Sequence, residues 1–193
     1  MQAQAARKDD AHYTYADYAQ WGDEVRYELI DGVAYMLAAP SMAHQEVSAA
    51  LSALLWNFLK DKPCKVFTAP FDVRLNAAGR DDTVVQPDIA VICDRSKLDD
   101  KGCHGAPDLI AEILSPSSSG CDKLLKFNRY LQAGVREYWI VDPNDKTVVA
   151  YVLKNGEYTA RAYGASDTAP VHVLEGCEIH LRDVFGEEAE AET

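Results

Sequence analysis

Two apolar stretches of this chain each carry a carboxylate where a buried β-strand should carry none. Val84 to Ile92 holds Asp88, and Leu109 to Leu114 holds Glu112. An unpaired charge taken out of water is costly, so a strand buried on both faces tolerates one only beside a cation or a hydrogen-bond donor. A shared Mg²⁺ would satisfy both groups, since hard oxygen ligands are what it prefers. The alternative is that one or both sit at a strand end and are solvated.

The rest of the chain supplies the scaffold. Asp31-Gly32 between Tyr27–Ile30 and Val33–Met36 predicts a β-hairpin, and Asn155-Gly156 predicts another between Lys146–Leu153 and Glu157–Tyr163. Val47, Leu51, Leu54, Leu55, Phe58 and Leu59 recur at helical spacing, so a helix is expected from Ser41 to Lys60, stopped before Pro63. A short helix is expected near Tyr15, Tyr18 and Trp21, started by Thr14 or Asp17. A third should run from Cys121 to Ala133 and end at Gly134. Short strands are expected at Lys65–Phe67, Phe71–Leu75, Glu137–Val141, Val171–Leu174 and Glu178–Leu181, with Val84–Ile92 as one strand and Asp94–Ala106 as a polar loop. Hairpin, helix, strands, helix, strands is the order of a mixed sheet with helices packed on it, of α/β (α+β) type. One domain is expected over residues 12–185, with a flexible N-terminus before it (1–11) and an acidic flexible tail after it (186–193).

With 193 residues and 48% apolar content, the chain can bury a core, and no apolar run is long enough for a membrane span. The first ten residues lack the apolar segment of a signal peptide, so a cytoplasmic location is the default expectation. Five cysteines at wide spacings, with no C-x-x-C pair, point to reduced and mostly buried thiols. Nineteen Lys+Arg against 31 Asp+Glu give a net charge of −12. A nucleic-acid ligand would then need basic residues gathered on one face, and Arg74, Arg80, Lys123, Lys126 and Arg129 are the candidates. No P-loop, dinucleotide fingerprint or G-x-S-x-G elbow is present.

The pair Pro87-Asp88, followed by Glu112 on the next apolar strand, resembles the PD-(D/E)XK nuclease superfamily. Four blocks in order are more specific. Tyr27 to Gly32, Gln86 to Ile89, Glu112 to Ser117 and Gly134 to Pro143 together resemble the Uma-type putative restriction endonuclease family, long filed as a domain of unknown function. The likeness runs from Tyr13 to Phe185. It implies a restriction-endonuclease-like mixed β-sheet core flanked by helices, and a Mg²⁺ (or Mn²⁺) site on Asp88 and Glu112. Glu28 would be an auxiliary acid, or else lie on a solvated strand face. The reaction implied is hydrolysis of DNA phosphodiester bonds. By analogy, a homodimer would supply the two sites that a duplex cut needs.

One departure matters. Residues i and i+2 of a strand share a face, so the motif's lysine belongs at position 114, where this chain has Leu114. A leucine cannot donate to phosphate or activate water. Asp122, Lys126 and Tyr130 form one stripe of the third helix, and Lys126 could reach the site from its flank, with Lys123 as second choice. The alternative for Lys126 is a solvated ion pair with Asp122. His44, on the apolar face of the long helix, could approach Glu28 as a proton carrier or phosphate contact, or be a hydrogen-bonded core histidine. Gln86 is a further accessory candidate. Leu114 and the negative charge keep two other functions open. One is an inactive nuclease-fold module for nucleic-acid binding or assembly; the other is a metal-dependent hydrolase of a small phosphodiester.

Overall fold

Asp31 and Gly32 both adopt positive φ, 52° and 74°, the geometry that a tight hairpin turn requires. The computed structural model in which this is seen describes residues 11–22, 25–75, 79–115 and 120–186, with the side chains of 120–123 left aside. The expectations for most of the N-terminus and the acidic tail fall outside these residues. In chain order the elements are α1 (Tyr15–Tyr18), β1 (Tyr27–Ile30), β2 (Val33–Met36), α2 (Met42–Leu59) and β3 (Lys65–Thr68). Next come β4 (Val73–Arg74), β5 (Val84–Val85), β6 (Ile89–Ile92), β7 (Leu98–Asp99), β8 (Gly102–His104) and β9 (Leu109–Ile113). The chain continues through α3 (Gly120–Ala133), β10 (Glu137–Asp142), β11 (Thr147–Lys154), β12 (Glu157–Gly164), β13 (Thr168–Pro170), β14 (Glu178–His180) and α4 (Arg182–Phe185). Thr14 is the N-cap of α1, and Ser41 caps α2 by accepting from the His44 N–H.

The strands form two mixed six-stranded sheets, ordered β2-β1-β5-β4-β8-β7 and β12-β11-β10-β9-β6-β3, beside a small β13-β14 ribbon. Val84–Ile92 is therefore two strands. Proline cannot donate to a ladder, so the chain breaks at Gln86-Pro87-Asp88 and passes from the first sheet into the second. Three further expectations change. Strand structure in 71–75 is confined to Val73–Arg74. The segment after Asp94, expected as a loop, holds a 3-10 turn (Arg95–Lys97) and the β7-β8 pair. Val171–Leu174 is turn, and the strand lies earlier, at β13. Two- and three-residue strands are too short to show an alternation that sequence could reveal.

The second sheet is buried on both faces, which is why β6, β9 and β10 read as near-continuous apolar runs. On one face Val47, Leu51, Leu55 and Leu59 of α2 pack against Ile89, Val91, Leu109, Ala111 and Trp139. On the other, Ala90, Ile92, Ile110 and Tyr138 meet Tyr130 of α3 and Ile30, Val73 and Val85 of the first sheet. A third carboxylate, Glu137, is fully buried on β10, but its oxygens accept from Trp139 Nε1 at 2.7 Å and from the Val173 N–H at 2.9 Å. That is a structural use of charge. Among the described residues no helix is long and apolar enough to cross a membrane.

The expectation of uniformly reduced thiols is corrected. Cys64 and Cys93 form a disulfide, while Cys103 and Cys177 are free and buried. Lys65 pairs with Ile92 at the end of the β3–β6 ladder, and the next residues outward are Cys64 and Cys93. This neighbourhood depends on strand register, which spacing along the chain does not reveal. The bridge closes a loop with a sequence separation of 29 residues. By loop-closure entropy, replacing both cysteines with serine is expected to lower the unfolding free energy by ~3–4 kcal/mol. Urea denaturation with and without reductant checks this: the gap between wild type and variant should close once the disulfide is reduced.

Candidate functional site

Antiparallel register brings the two strand carboxylates together. The β6–β9 ladder pairs Ile89 with Ala111, so one step outward sets Asp88 beside Glu112. Asp88 stands at the entrance of β6 and is anchored there, its Oδ2 accepting from the Ile113 N–H at 2.7 Å. Glu28 arrives from the other sheet. It is 3% exposed, so the solvated alternative does not hold, and its Oε1 accepts from the Gln86 N–H at 2.8 Å.

Lys126 closes the gap between the sheets. Its Nζ donates to Glu28 Oε1 at 2.8 Å and to Glu112 Oε1 at 3.0 Å, its partners among the described residues. The Asp122 and Lys123 side chains lie outside the described set. One turn further along α3, Tyr130 donates its hydroxyl to the same Glu112 oxygen at 2.5 Å. Burial pushes the Glu112 carboxyl up to about 7; Lys126 pulls against this, and the negative charges of Asp88 and Glu28 add to it. Burial works against the Lys126 charge, but the two carboxylates outweigh it and hold the ammonium protonated well above its usual range. Burial and Glu112 together raise the Tyr130 hydroxyl, which stays a donor.

His44 takes a different partner from the one expected. Its Nε2 lies 3.1 Å from Asp88 Oδ2, and this hydrogen bond raises its pKa despite burial. Gln86 is a hub. Its side-chain oxygen accepts from Arg26 Nε and Nη2 at 2.9 and 2.7 Å, and its amide nitrogen donates to Asp72 Oδ1 and the Tyr18 hydroxyl. None of Arg26, Tyr18 and Asp72 was named as a site residue from the sequence. Arg26 had a signal: it lies two positions before Glu28 and shares its strand face. Tyr18 and Asp72 reach Gln86 only through the tertiary fold.

Glu28, His44, Gln86, Asp88, Glu112 and Lys126 line a cavity of about 540 Å³. Its lining includes the charged residues Arg26, Glu28, Asp88, Glu112 and Lys126 and the apolar or aromatic residues Ile30, Tyr35, Leu37, Leu125 and Tyr138. Among the described residues no three His, Cys, Asp or Glu side chains are placed to hold a metal unaided. A site on two carboxylates, completed by water and phosphate oxygens, is nevertheless what Mg²⁺ commonly takes. Among the described residues the hydrogen bonds above fall on Asp88 Oδ2 and Glu112 Oε1, leaving Asp88 Oδ1 and Glu112 Oε2 as the oxygens for such an ion. The donor set fits it. The expected basic face is another matter. Arg74 pairs with Asp99, while Arg129 and Arg80 both face Asp31, at 2.7 and 3.8 Å.

Residues 15–182 match the model of the Uma2 family, described as "putative restriction endonuclease". The chain belongs to that family. Two uncharacterized proteins of Synechocystis sp. resemble this Uma2 chain. One, slr1290, is 26% identical over 155 residues, spanning 78% of this chain and 80% of its own length. The other, sll1609, is 32% identical over 134 residues, spanning 67% and 74%. A crystal structure of a putative nuclease belonging to DUF820, from Anabaena variabilis, superposes with a TM-score of 0.74 at 20% identity, covering 89% of this chain and 97% of that one. That likeness establishes the fold, a restriction-endonuclease-like mixed sheet core with flanking helices, as the sequence led us to expect.

The raised Glu112 pKa has a direction in stability. The folded protein keeps this proton at pH values where the unfolded chain has lost it. Stability from this group is therefore complete below the ordinary value of 4.5 and is lost as the pH rises to about 7. Urea midpoints measured with a chelator present should fall across that window, and Glu112→Gln should remove this part of the slope.

Proposed function

We propose that this Uma2 chain is a metal-dependent nuclease that hydrolyses DNA phosphodiester bonds. One observation carries the reading: the lysine missing at Leu114 is matched by Lys126 from α3, seated against Glu112 and Glu28 beside Asp88. Asp88 and Glu112 would hold Mg²⁺ or Mn²⁺. When bound, the ion supplies Lewis acidity toward a phosphoryl oxygen and toward water.

The chain's own groups do the rest. An ammonium has three donors; among the described residues two of those on Lys126 are spent on the glutamates, which leaves a third for a phosphate oxygen. Held protonated, Lys126 acts as donor and positioning charge and cannot serve as a base. Glu28 fixes Lys126 from the opposite sheet. His44 and the Ile113 N–H fix the orientation of Asp88. Tyr130 holds Glu112, and Gln86 holds both Glu28 and Arg26. A single-strand cut needs one such site, whereas a duplex cut needs two, for which a homodimer is the simplest source.

The test is cleavage of plasmid and single-stranded DNA in Mg²⁺ and in Mn²⁺. Asp88→Ala and Lys126→Ala should each reduce the rate by ~10²–10³-fold, the scale for removing one electrostatic contact to a transition state. Undiminished cleavage by Lys126→Ala would remove the lysine from the mechanism. A wild-type protein inert toward both DNAs with either metal would sink the reading. The pairing of Arg74, Arg80 and Arg129 with acids favours one second reading, hydrolysis of a small phosphodiester. Turnover of bis(p-nitrophenyl) phosphate without DNA cleavage would select it.

A further inference from the structure

We infer that the cavity beside the carboxylates receives one unpaired nucleotide of a DNA strand, its base against Tyr35 and its edge met by α2. This rests on the nuclease reading and narrows the substrate to single-stranded or locally opened DNA.

Size comes first. At about 540 Å³ the cavity lies within the ~300–1,000 Å³ range of small-molecule sites and can hold a nucleoside. Its walls then divide by chemistry. Tyr35 stands directly opposite Glu28 in the β1–β2 register, on the same face, so a partly exposed aromatic ring adjoins the carboxylates. A base offers a flat π-face to such a ring whatever its identity.

A further part of the lining comes from α2. His44, Ser48 and Ser52 lie at i, i+4 and i+8 along one helix face, and all three line the cavity. On this helix Gln45 is exposed and Ser48 partly so, and both line the cavity, so a side-chain amide and a hydroxyl are open to it and can meet the donors and acceptors on the rim of a base.

Charge excludes the longer ligand. The guanidinium of Arg26 is held by the neutral amide oxygen of Gln86, so its positive charge is retained at the cavity mouth. With Lys126 it can receive one phosphate. A duplex carries a charge every ~1.7 Å and asks for a cationic track. Here Arg74, Arg80 and Arg129 are engaged with acids, and the chain as a whole carries −12. A base enclosed in the cavity cannot remain paired in a helix.

The experiment is fluorescence anisotropy on the full chain in Ca²⁺, an oxygen-seeking ion offered in place of Mg²⁺, at fixed salt. Three labelled probes of equal length are compared: single-stranded oligothymidine, the same backbone with every base removed, and a blunt duplex. The intact strand should bind about tenfold or more tighter than the other two, the scale on which a stacked base acts. Tyr35→Ala should lose a similar factor, and Tyr35→Phe should keep it. The comparison of intact with abasic strand uses unaltered protein, so misfolding of a variant cannot mask the answer. Equal affinity for the intact and abasic strands, tighter binding of the duplex, or no binding of the single strand would overturn the inference. Cleavage in Mn²⁺, followed in parallel, separates the two claims. Duplex cutting with base-independent binding removes the nucleotide pocket and leaves the nuclease. Base-dependent binding without cleavage keeps the pocket and removes the nuclease.

Discussion

A single ammonium group, that of Lys126, stands between the two sheets. Glu28 comes from one sheet and Glu112 from the other, and both charges lie out of bulk water. Without Lys126 they would face each other across a buried gap, and Asp88 would add a third like charge. Removing one partner of a buried ion pair typically costs ~3–5 kcal/mol, since the charge left behind has lost its water. The scaffold spends much of its detail on keeping this arrangement fixed. Backbone N–H groups of Gln86 and Ile113 hold Glu28 and Asp88, and Tyr130 holds Glu112. Glu137, by contrast, is satisfied within the fold by an indole and a backbone amide, and lies away from the cavity.

What could be read from the sequence follows from the range over which each signal acts. The hairpins were legible because Asp31-Gly32 and Asn155-Gly156 are local solutions to a local backbone problem, as their positive φ values show. Helix α2 was legible from its apolar period. Lys126 and Tyr130 could be placed together because they are one turn apart on α3. The break at Pro87 was visible as an interruption, but its consequence, a change of sheet, was not. The Cys64–Cys93 neighbourhood, the choice of Asp88 as the partner of His44, and the web of Gln86 with Tyr18 and Asp72 all depend on register between distant strands. Propensity carries no record of that register.

The position of the charges qualifies the likeness to restriction endonucleases. Such an activity on duplex DNA calls for a basic track. In this chain the arginines named from the sequence instead stabilise the fold: Arg129 and Arg80 gather at the Asp31 turn, and Arg74 reaches the β7 strand through Asp99. Among the described residues the positive charge left at the cavity is local, at Arg26 and Lys126. Affinity for a nucleic acid would then depend on what enters the cavity more than on long-range attraction, and would respond less to salt than that of a protein neutralising many phosphates.

The contact between Lys126 and Glu28 spans 98 positions of sequence. Contacts of high sequence separation form slowly, because the loop between them must be closed before they give any return. On a ribosome the consequence is stark. Strands β1 to β6 emerge with Glu28 and Asp88 already inside apolar segments, yet the cation that makes Glu28 tolerable in the interior is made only with α3. Until then the two sheets have reason to stay apart, and the nascent chain is expected to keep this interface open and hydrated. The residue that completes the candidate site would thus also be the one that lets the two sheets close on each other.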